Sequence, residues 1–393
     1  MSINFTKNSI IKSTKTRPEN YKFPLGVSAD KSKPAINIPQ GNIMNYLDTS
    51  QLGVYSNGQF GNWKIVDGPT GGNLIITYAN TSQDYYFRSN QAIENIEILA
   101  IAGGGSGGFH YPQGGGVGGG GAGGVVYFTD NSSPYSNTGS AYFDVTVEDP
   151  KWTINVGYGG YVYSMSGQNT TIVGEGINIL ALGGGGGISN GPQIPSAHGL
   201  LAKNPALHGP YIGAHDAKQG GSGGGGYNTA DAPHGNNGRG AGIPGQGFPG
   251  GIPGGAGGYG AGGGGGAGGA GEPGHPGPGV GGVGINLSIS GSPVWYAAGG
   301  GSGGRGSSTL AKSPTTDAAG AGGLFNEPAA PSQPFWQGRN RSADCGLPNR
   351  GSGGGGFMFP QYNTHMQGSG GSGVVILSFP VLQNSMVTFE SST

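Results

Sequence analysis

The sequence predicts an all-β fold: a jelly-roll-like β-sandwich with an inserted bundle of glycine-rich polyproline II (polyglycine II) helices, and almost no α-helix. Two observations lead to it. The chain holds 92 glycines and 27 prolines among 393 residues, and β-branched or aromatic segments lie directly beside the glycine runs. A flexible linker has no need of such segments. We therefore expect the loops of a sheet structure to be extended into glycine helices.

Glycine recurs at every third position in one stretch of the chain. The positions, which we expect to be structural, are Gly251, Gly254, Gly257, Gly260, Gly263, Gly266 and Gly269. Polyproline II has three residues per turn and no internal hydrogen bonds, so a row of glycines lets a second helix approach until backbone groups pair. Collagen would need one unbroken register, which fails at Glu272-Pro273. The composition alone does not exclude a disordered chain.

Predicted strands recur along the chain, and several of them alternate apolar and polar residues as half-buried strands do. In order they are Leu74–Tyr78, Tyr85–Phe87, Glu97–Ala102, Val125–Phe128, Tyr142–Val147, Trp152–Val156, Thr170–Val173, Gly176–Leu182, Ile285–Ile289, Val294–Tyr296 and Val374–Phe379. We divide the chain into an N-terminal arm with a small attachment unit (1–72), a strand-rich part (73–187), the glycine bundle with exposed loops and a closing strand (188–380), and a tail (381–393).

The N-terminal arm is basic. Up to residue 33 it carries Lys7, Lys12, Lys15, Arg17, Lys22, Lys31 and Lys33 against Glu19 and Asp30. Such an arm is either a solvated tail or a docking segment for an acidic partner. The polar start of the chain has no signal-peptide core, and no run approaches the ~20 apolar residues of a membrane helix. We expect synthesis in a cytoplasm and no membrane insertion; a single cysteine, Cys345, excludes an intrachain disulfide.

Five motifs in a fixed order resemble the glycine-rich domain of phage tail-fibre and other virion proteins. They are ILAIAGGG (98–105), GAGGVV (121–126), WTINVGYGG (152–160), ALGGGGG (181–187) and GGSGVVIL (370–377). A more distant likeness is to the distal adhesins of T-even-type phages, which present receptor-binding loops from a polyglycine bundle. The glycine-rich extracellular domain of certain receptor tyrosine kinases is similar in fold only.

The resemblance implies a structural protein of the virion tail or fibre, made in the host cytoplasm. Its arm would attach it to another virion protein, either as a homotrimer or as a cap on a trimeric fibre. A fibre or decoration subunit that binds no receptor is the alternative role. A non-viral polyglycine bundle, ice-binding or matrix, is a further one, although long aromatic loops and the arm argue against a flat ice-binding face.

The segments between glycine runs concentrate aromatic, histidine and basic residues. The receptor-binding candidates among them are His110, Tyr111, His208, Tyr211, His215, Trp336, Arg339, Arg341 and Tyr362. Aromatic and arginine side chains dominate binding hot spots, and aromatic faces stack on sugar rings. We expect them to meet a host-surface polysaccharide or an outer-membrane protein; alternatively, the aromatic residues cap the bundle ends.

The sequence gives little support for a catalytic role. Between residues 176 and 271 the only carboxylates are Asp216 and Asp231, and no pattern places them together as a glycosidase pair. His208, His215 and Asp216 match no zinc spacing. No Gly-Lys-Ser/Thr occurs, so the glycine runs are not phosphate-binding loops. We expect no enzyme activity, no cofactor and no metal.

Glycine-flanked arginines raise nucleic-acid binding as another functional class. Arg239, Arg305 and Arg350 stand next to glycines, but phosphate neutralisation requires several cations together. These three are isolated in a nearly neutral region. We therefore expect no nucleic-acid partner.

Overall fold

A computed structural model of the chain describes Gly58 and residues 73–89, 92–108, 116–129, 151–161, 164–174, 176–188, 219–227, 238–254, 260–275, 277–303, 343–356 and 368–380. It also gives the backbone course of short strands outside these ranges. Within this part of the chain every regular element is a β-strand, which confirms the all-β prediction there.

The strands are β1 (Asn4–Phe5), β2 (Ile11–Lys12), β3 (Ala35–Asn37), β4 (Val54–Ser56), β5 (Gln59–Gly61), β6 (Lys64–Val66), β7 (Asn73–Tyr78), β8 (Tyr85–Ser89), β9 (Ile93–Ile101), β10 (Phe109–His110), β11 (Val125–Phe128), β12 (Phe143–Val145), β13 (Trp152–Asn155), β14 (Thr170–Gly174), β15 (Ile177–Ala181), β16 (Ile285–Leu287), β17 (Val294–Tyr296), β18 (Gly304–Arg305), β19 (Leu324–Phe325), β20 (Phe357–Met358) and β21 (Val374–Pro380). All eleven strands predicted from the sequence are present among them.

Two antiparallel sheets contain most of the longer strands. A six-stranded sheet has the order β11-β9-β21-β7-β5, with β12 also paired to β9. A five-stranded sheet has the order β15-β14-β13-β8-β4. β4 and β5 lie within residues 1–72 and extend both sheets; the proposed division of the chain into four parts stays a prediction.

One apolar cluster joins the two sheets. It includes Phe87 and Trp152 from the five-stranded sheet and Phe379 from the six-stranded sheet. The Phe87 ring lies 5.1 Å from the Trp152 ring and 6.0 Å from the Phe379 ring, centroid to centroid. Burial of such large side chains makes a large apolar contribution to the stability of the described part of the chain.

A second cluster covers the other face of the six-stranded sheet. There Leu99 and Ile376 pack with Ile285 and Tyr296 of the β16–β17 hairpin. β9 and β21 are therefore buried on both faces. This double burial explains why both strands contain continuous apolar runs rather than an alternation of apolar and polar residues.

Glycine-rich runs extend from the sheets. We number nine of them: run 1 (102–108), run 2 (117–124), run 3 (182–188), run 4 (220–226), run 5 (246–254), run 6 (260–267), run 7 (297–303), run 8 (351–356) and run 9 (368–373). Most of their glycines are buried. Run 1 follows β9, run 3 follows β15, and run 9 leads into β21.

Successive N–H groups of run 1 donate to three different neighbours in rotation. The donor–acceptor pairs are Gly103–Gln168 (2.9 Å), Gly104–Gly371 (2.9 Å) and Gly105–Gly121 (2.8 Å), then Ser106–Met165 (2.9 Å), Gly107–Gly368 (2.9 Å) and Gly108–Gly118 (2.8 Å). The order repeats after three residues. Run 2 has the same rotation, directed to runs 3, 6 and 8. The runs are thus joined to one another by backbone hydrogen bonds with a three-residue period.

Candidate functional site

Hydrogen-bond register gives the direction of each run. Run 1 continues β9 and leads away from the sheets, whereas run 2 leads back into β11. Runs 3, 4 and 8 are antiparallel to run 2, and run 6 is parallel to it. Run 5 is parallel to run 4, and run 7 is antiparallel to run 6. Runs 1, 3, 4, 5, 7 and 8 therefore all lead away from the sheets.

These runs have a common distal end, which we define as the ends farthest from the sheets. It is formed by Gly108, Val117, Ile188, Gly226, Gly254, Gly260, Gly303, Gly356 and Gly368. The segments that follow an outward run are 109–116, 189–218, 228–237, 255–259, 304–342 and 357–367. Six segments between runs therefore begin at one end of the molecule.

The opposite end carries the beginning and the end of the two sheets. In β4, Val54 pairs with Ser89, the last residue of β8. In β21, Pro380 pairs with Asn73, the first residue of β7. Both positions lie at the ends of strands that point away from the glycine runs. The chain before β4 and the chain after β21 therefore meet the sheets opposite the distal end.

Of the nine receptor-binding candidates, His110 lies in the described backbone. It belongs to β10, which pairs in parallel with β20 so that Phe109 lies opposite Phe357 and His110 opposite Met358. The other candidates, Tyr111, His208, Tyr211, His215, Trp336, Arg339, Arg341 and Tyr362, fall outside the described residues. The β10–β20 pairing does bring together the bases of the segments that contain Tyr111 and Tyr362.

Six of the seven glycines with three-residue spacing can be placed, and Gly257 falls outside the described residues. The N–H of Gly251 donates to Gly263 O at 2.7 Å, that of Gly254 to Gly260 O at 2.9 Å, and that of Gly266 to Gly269 O at 2.9 Å. A Cβ on Gly263 would lie 2.0 Å from Val280 O. These contacts explain why glycine is required along this stretch.

Among the described residues, several ionisable groups lie toward the distal end. Arg239, Glu272, His275 and Asp344 are exposed. Within the described ranges there is no group of three or more His, Cys, Asp or Glu side chains that could hold a metal ion. None of the elements described is a helix long and apolar enough to cross a membrane. Nearer the sheets, burial raises the pKa of the Tyr158 hydroxyl.

Comparison with known families gives a match, and a comparison with curated proteins finds none. The family model is described as a glycine-rich domain and covers residues 80–380. This range takes in strands β8 to β21 and all nine glycine runs. The match supports the glycine-rich part of the resemblance read from the sequence. Because it covers most of the chain, the protein belongs to the glycine-rich domain family.

Proposed function

We propose that this chain is a structural, non-enzymatic virion protein, a component of a tail fibre or adhesin. It would bind a host-surface polysaccharide or outer-membrane protein through the segments between its glycine runs. The observation that supports the proposal most directly is that the two ends of the molecule differ. Six segments begin at the distal end, while the chain before β4 and the chain after β21 meet the opposite end.

We further propose that the runs are polyglycine II helices inserted into a β-sandwich. Three residues per turn is the period of this helix. The three-way rotation of N–H donors in runs 1 and 2 has the same period. The apolar cluster shared by the two sheets supports the sandwich.

The glycine runs hold the ends of the intervening segments in place, and this favours receptor binding by segments of variable sequence. Each outward run is fixed by backbone hydrogen bonds that do not depend on side-chain identity, so the segments can differ in sequence without loss of the scaffold. A segment whose two ends are already held loses less conformational freedom when it binds. This arrangement would let aromatic and basic residues contact a receptor at a lower entropic cost.

The difference between the two ends of the molecule would also separate attachment to the virion from binding to the host. A strand rises about 3.3 Å per residue and polyproline II about 3.1 Å. β21 together with run 9 thus gives roughly 40 Å between the sheet end and the distal end. The basic arm would dock on an acidic surface of another virion protein at the sheet end, leaving the distal end free for the host.

The direct test is adsorption to host cells by virions that carry the Trp336→Ala, Arg339→Ala, Arg341→Ala triple variant. We expect adsorption to fall at least tenfold while the incorporated protein stays folded. Leu347→Ala is the matched control, because Leu347 is exposed just before the turn at the sheet side of run 8. Normal adsorption by this triple variant, and by variants of His110, Tyr111, His208, Tyr211, His215 and Tyr362, would reject receptor binding and favour a scaffold role.

A further inference from the structure

One side of run 7 has no neighbour among the described glycine runs. Run 2 exchanges backbone hydrogen bonds with six runs, namely runs 1, 3, 4, 6, 7 and 8. Run 7 exchanges them with runs 2, 6 and 8 and with residues 278–284. Hydrogen bonds also join run 8 to run 2, run 2 to run 6, and run 6 to residues 278–284. The four neighbours of run 7 are therefore adjacent to one another, and they leave its opposite side, which we call the open side, unoccupied by described residues.

The N–H groups of Ala298 and Gly301 point to the open side. Successive N–H groups of a glycine run take three directions in turn, as in runs 1 and 2. In run 7 the residue after each of these two donates to residues 278–284, and the next residue donates to run 2. The third direction belongs to Ala298 and Gly301. Neither of them donates to a main-chain group of the described residues.

The open side is nevertheless buried. Ala298 is 0% exposed, and Gly301 is buried. Ser352 of run 8, which precedes the residue whose N–H donates to Ala298 O, is also 0% exposed, and its Oγ has no hydrogen-bond partner. Buried N–H groups in folded proteins are nearly always paired. We therefore expect a part of the chain outside the described ranges to cover the open side and to accept these hydrogen bonds.

Strand pairing beyond run 7 indicates which part of the chain this is. Run 7 continues into β18, which pairs in parallel with β19 so that Gly304 lies opposite Leu324. The six residues before β19, 318–323, read Ala-Ala-Gly-Ala-Gly-Gly. They are the only six consecutive residues between 306 and 342 that are all glycine or alanine. Extending the β18–β19 register backward places position 318 beside Ala298 and position 321 beside Gly301.

We infer that residues 318–323 form a tenth glycine run, parallel to run 7 and seated on its open side. Two parallel polyproline II helices share a rise of about 3.1 Å per residue, so carbonyl groups three residues apart in one stay level with N–H groups three residues apart in the other. Carbonyl groups of the tenth run thus accept the hydrogen bonds of Ala298 and Gly301. Glycine and alanine are the residues small enough for such an approach.

The tenth run bears on the proposed receptor-binding segment, although the inference does not depend on that function. It divides the segment 304–342 into two shorter ones, of which the second begins after β19 at the distal end. This second segment, 326–342, contains Trp336, Arg339 and Arg341. It ends before Asp344, whose carbonyl accepts a hydrogen bond from Gly355 N at 3.0 Å near the distal end of run 8. Both ends of the segment are then held.

The test is residue-resolved amide hydrogen exchange and nuclear Overhauser spectroscopy of the full chain. In the unaltered protein the amides of Ala298 and Gly301 should exchange slowly, and residues 318–323 should show Overhauser contacts to run 7 or run 8. A triple variant, Gly320→Val, Ala321→Val, Gly322→Val, places a large side chain on all three sides of the helix. It should speed exchange of the two amides roughly tenfold or more.

The matched control is Ser307→Val, Ser308→Val, Thr309→Val, which places the same side chains in the same segment but outside the tenth run. It should leave both amides slow. The amides of Gly104 and Gly105 in run 1 report whether the rest of the bundle stays folded in each variant.

Three results would overturn the inference. The amides of Ala298 and Gly301 exchange in the unaltered protein at the rate of an unprotected chain, residues 318–323 show no contact to run 7 or run 8, or the triple variant and its control change exchange equally. The first two measurements use the unaltered protein and decide the matter even if the variant fails to fold. Adsorption to host cells is a separate measurement, so failure here leaves the proposed receptor binding untouched.

Discussion

The side-chain amide of Gln246 pairs with the backbone around Leu180 as a neighbouring strand would. Its Nε2 donates to Leu180 O at 3.0 Å, and Leu182 N donates to its Oε1 at 2.9 Å. Gln246 O also accepts a hydrogen bond from Val125 N at 3.0 Å. Leu180 belongs to the edge strand β15 and Val125 to the edge strand β11. One residue at the sheet side of run 5 thus closes an edge of each sheet, where open strands invite unwanted pairing.

We expect Gln246→Ala to lower the free energy of unfolding by about 1–2 kcal/mol, because it leaves a main-chain donor and acceptor without their protein partners. Chemical denaturation measures the change. Arg239→Ala is the control: the residue is exposed, and its loss should change stability by less than about 0.5 kcal/mol. Equal effects from the two variants would show that the Gln246 amide does not support the edge.

Glycine-to-alanine substitutions test the packing of the runs. A Cβ on Gly104 would lie 2.1 Å from Ser352 O, whereas a Cβ on Gly238 would meet nothing within 4 Å. We expect Gly104→Ala to destabilise the fold by about 3 kcal/mol or more. Gly238→Ala should be neutral or stabilise by less than about 1 kcal/mol, since alanine restricts the unfolded chain. Comparable thermal midpoints for the two variants would contradict the close approach of runs 1 and 8.

The raised pKa of the Tyr158 hydroxyl predicts a loss of stability at alkaline pH. Burial raises the pKa of its hydroxyl above the ordinary value of 10.0, so the folded state keeps the proton more strongly than the unfolded state. The contribution is fully present below pH 10.0 and is lost as the pH rises through the pKa of the folded state. Tyr158→Phe should flatten the stability profile above pH 10. An identical alkaline profile in wild type and variant would refute this account.

The arm gives a prediction about assembly. If the chain attaches to another virion protein through its basic arm, virions that encode a chain without residues 1–45 should lose this protein, while the purified domain keeps its fold. β4 and β5 begin later, at Val54 and Gln59, so the deletion leaves both sheets complete. Immunoblotting of purified virions measures incorporation. Normal incorporation would exclude the arm as the attachment segment.

The sequence predicted the longer strands well because their residues are β-branched or aromatic and adjoin glycine. It missed β4 and β5, where Ser56, Gln59 and Gly61 give no apolar pattern and pairing with β8 and β7 creates the strands. The three-residue period could be read from glycine spacing. The neighbours of each run could not, because hydrogen bonds such as Gly104–Gly371 join residues far apart in sequence.

The candidate binding segments, too, could be predicted from the sequence only in part. Aromatic and basic segments could be found from composition, but their common origin at the distal end depends on the direction of every run. The arrangement of side chains on the five-stranded sheet could not be predicted for a different reason. Alternation in β8 and β14 indicates one buried face and one exposed face, yet only strand register places Tyr86 in line with Thr153 and Val173.

The central claim is that backbone hydrogen bonds hold the glycine runs together and so fix the distal end. Residue-resolved amide hydrogen exchange of the full chain tests it most directly at Gly103, Gly104 and Gly105, whose N–H groups donate to three different neighbours at 2.8–2.9 Å. We expect all three amides to exchange as slowly as those of β9 and β21, because opening any one requires separating run 1 from its neighbours. Exchange at the rate of an unprotected chain would contradict the account.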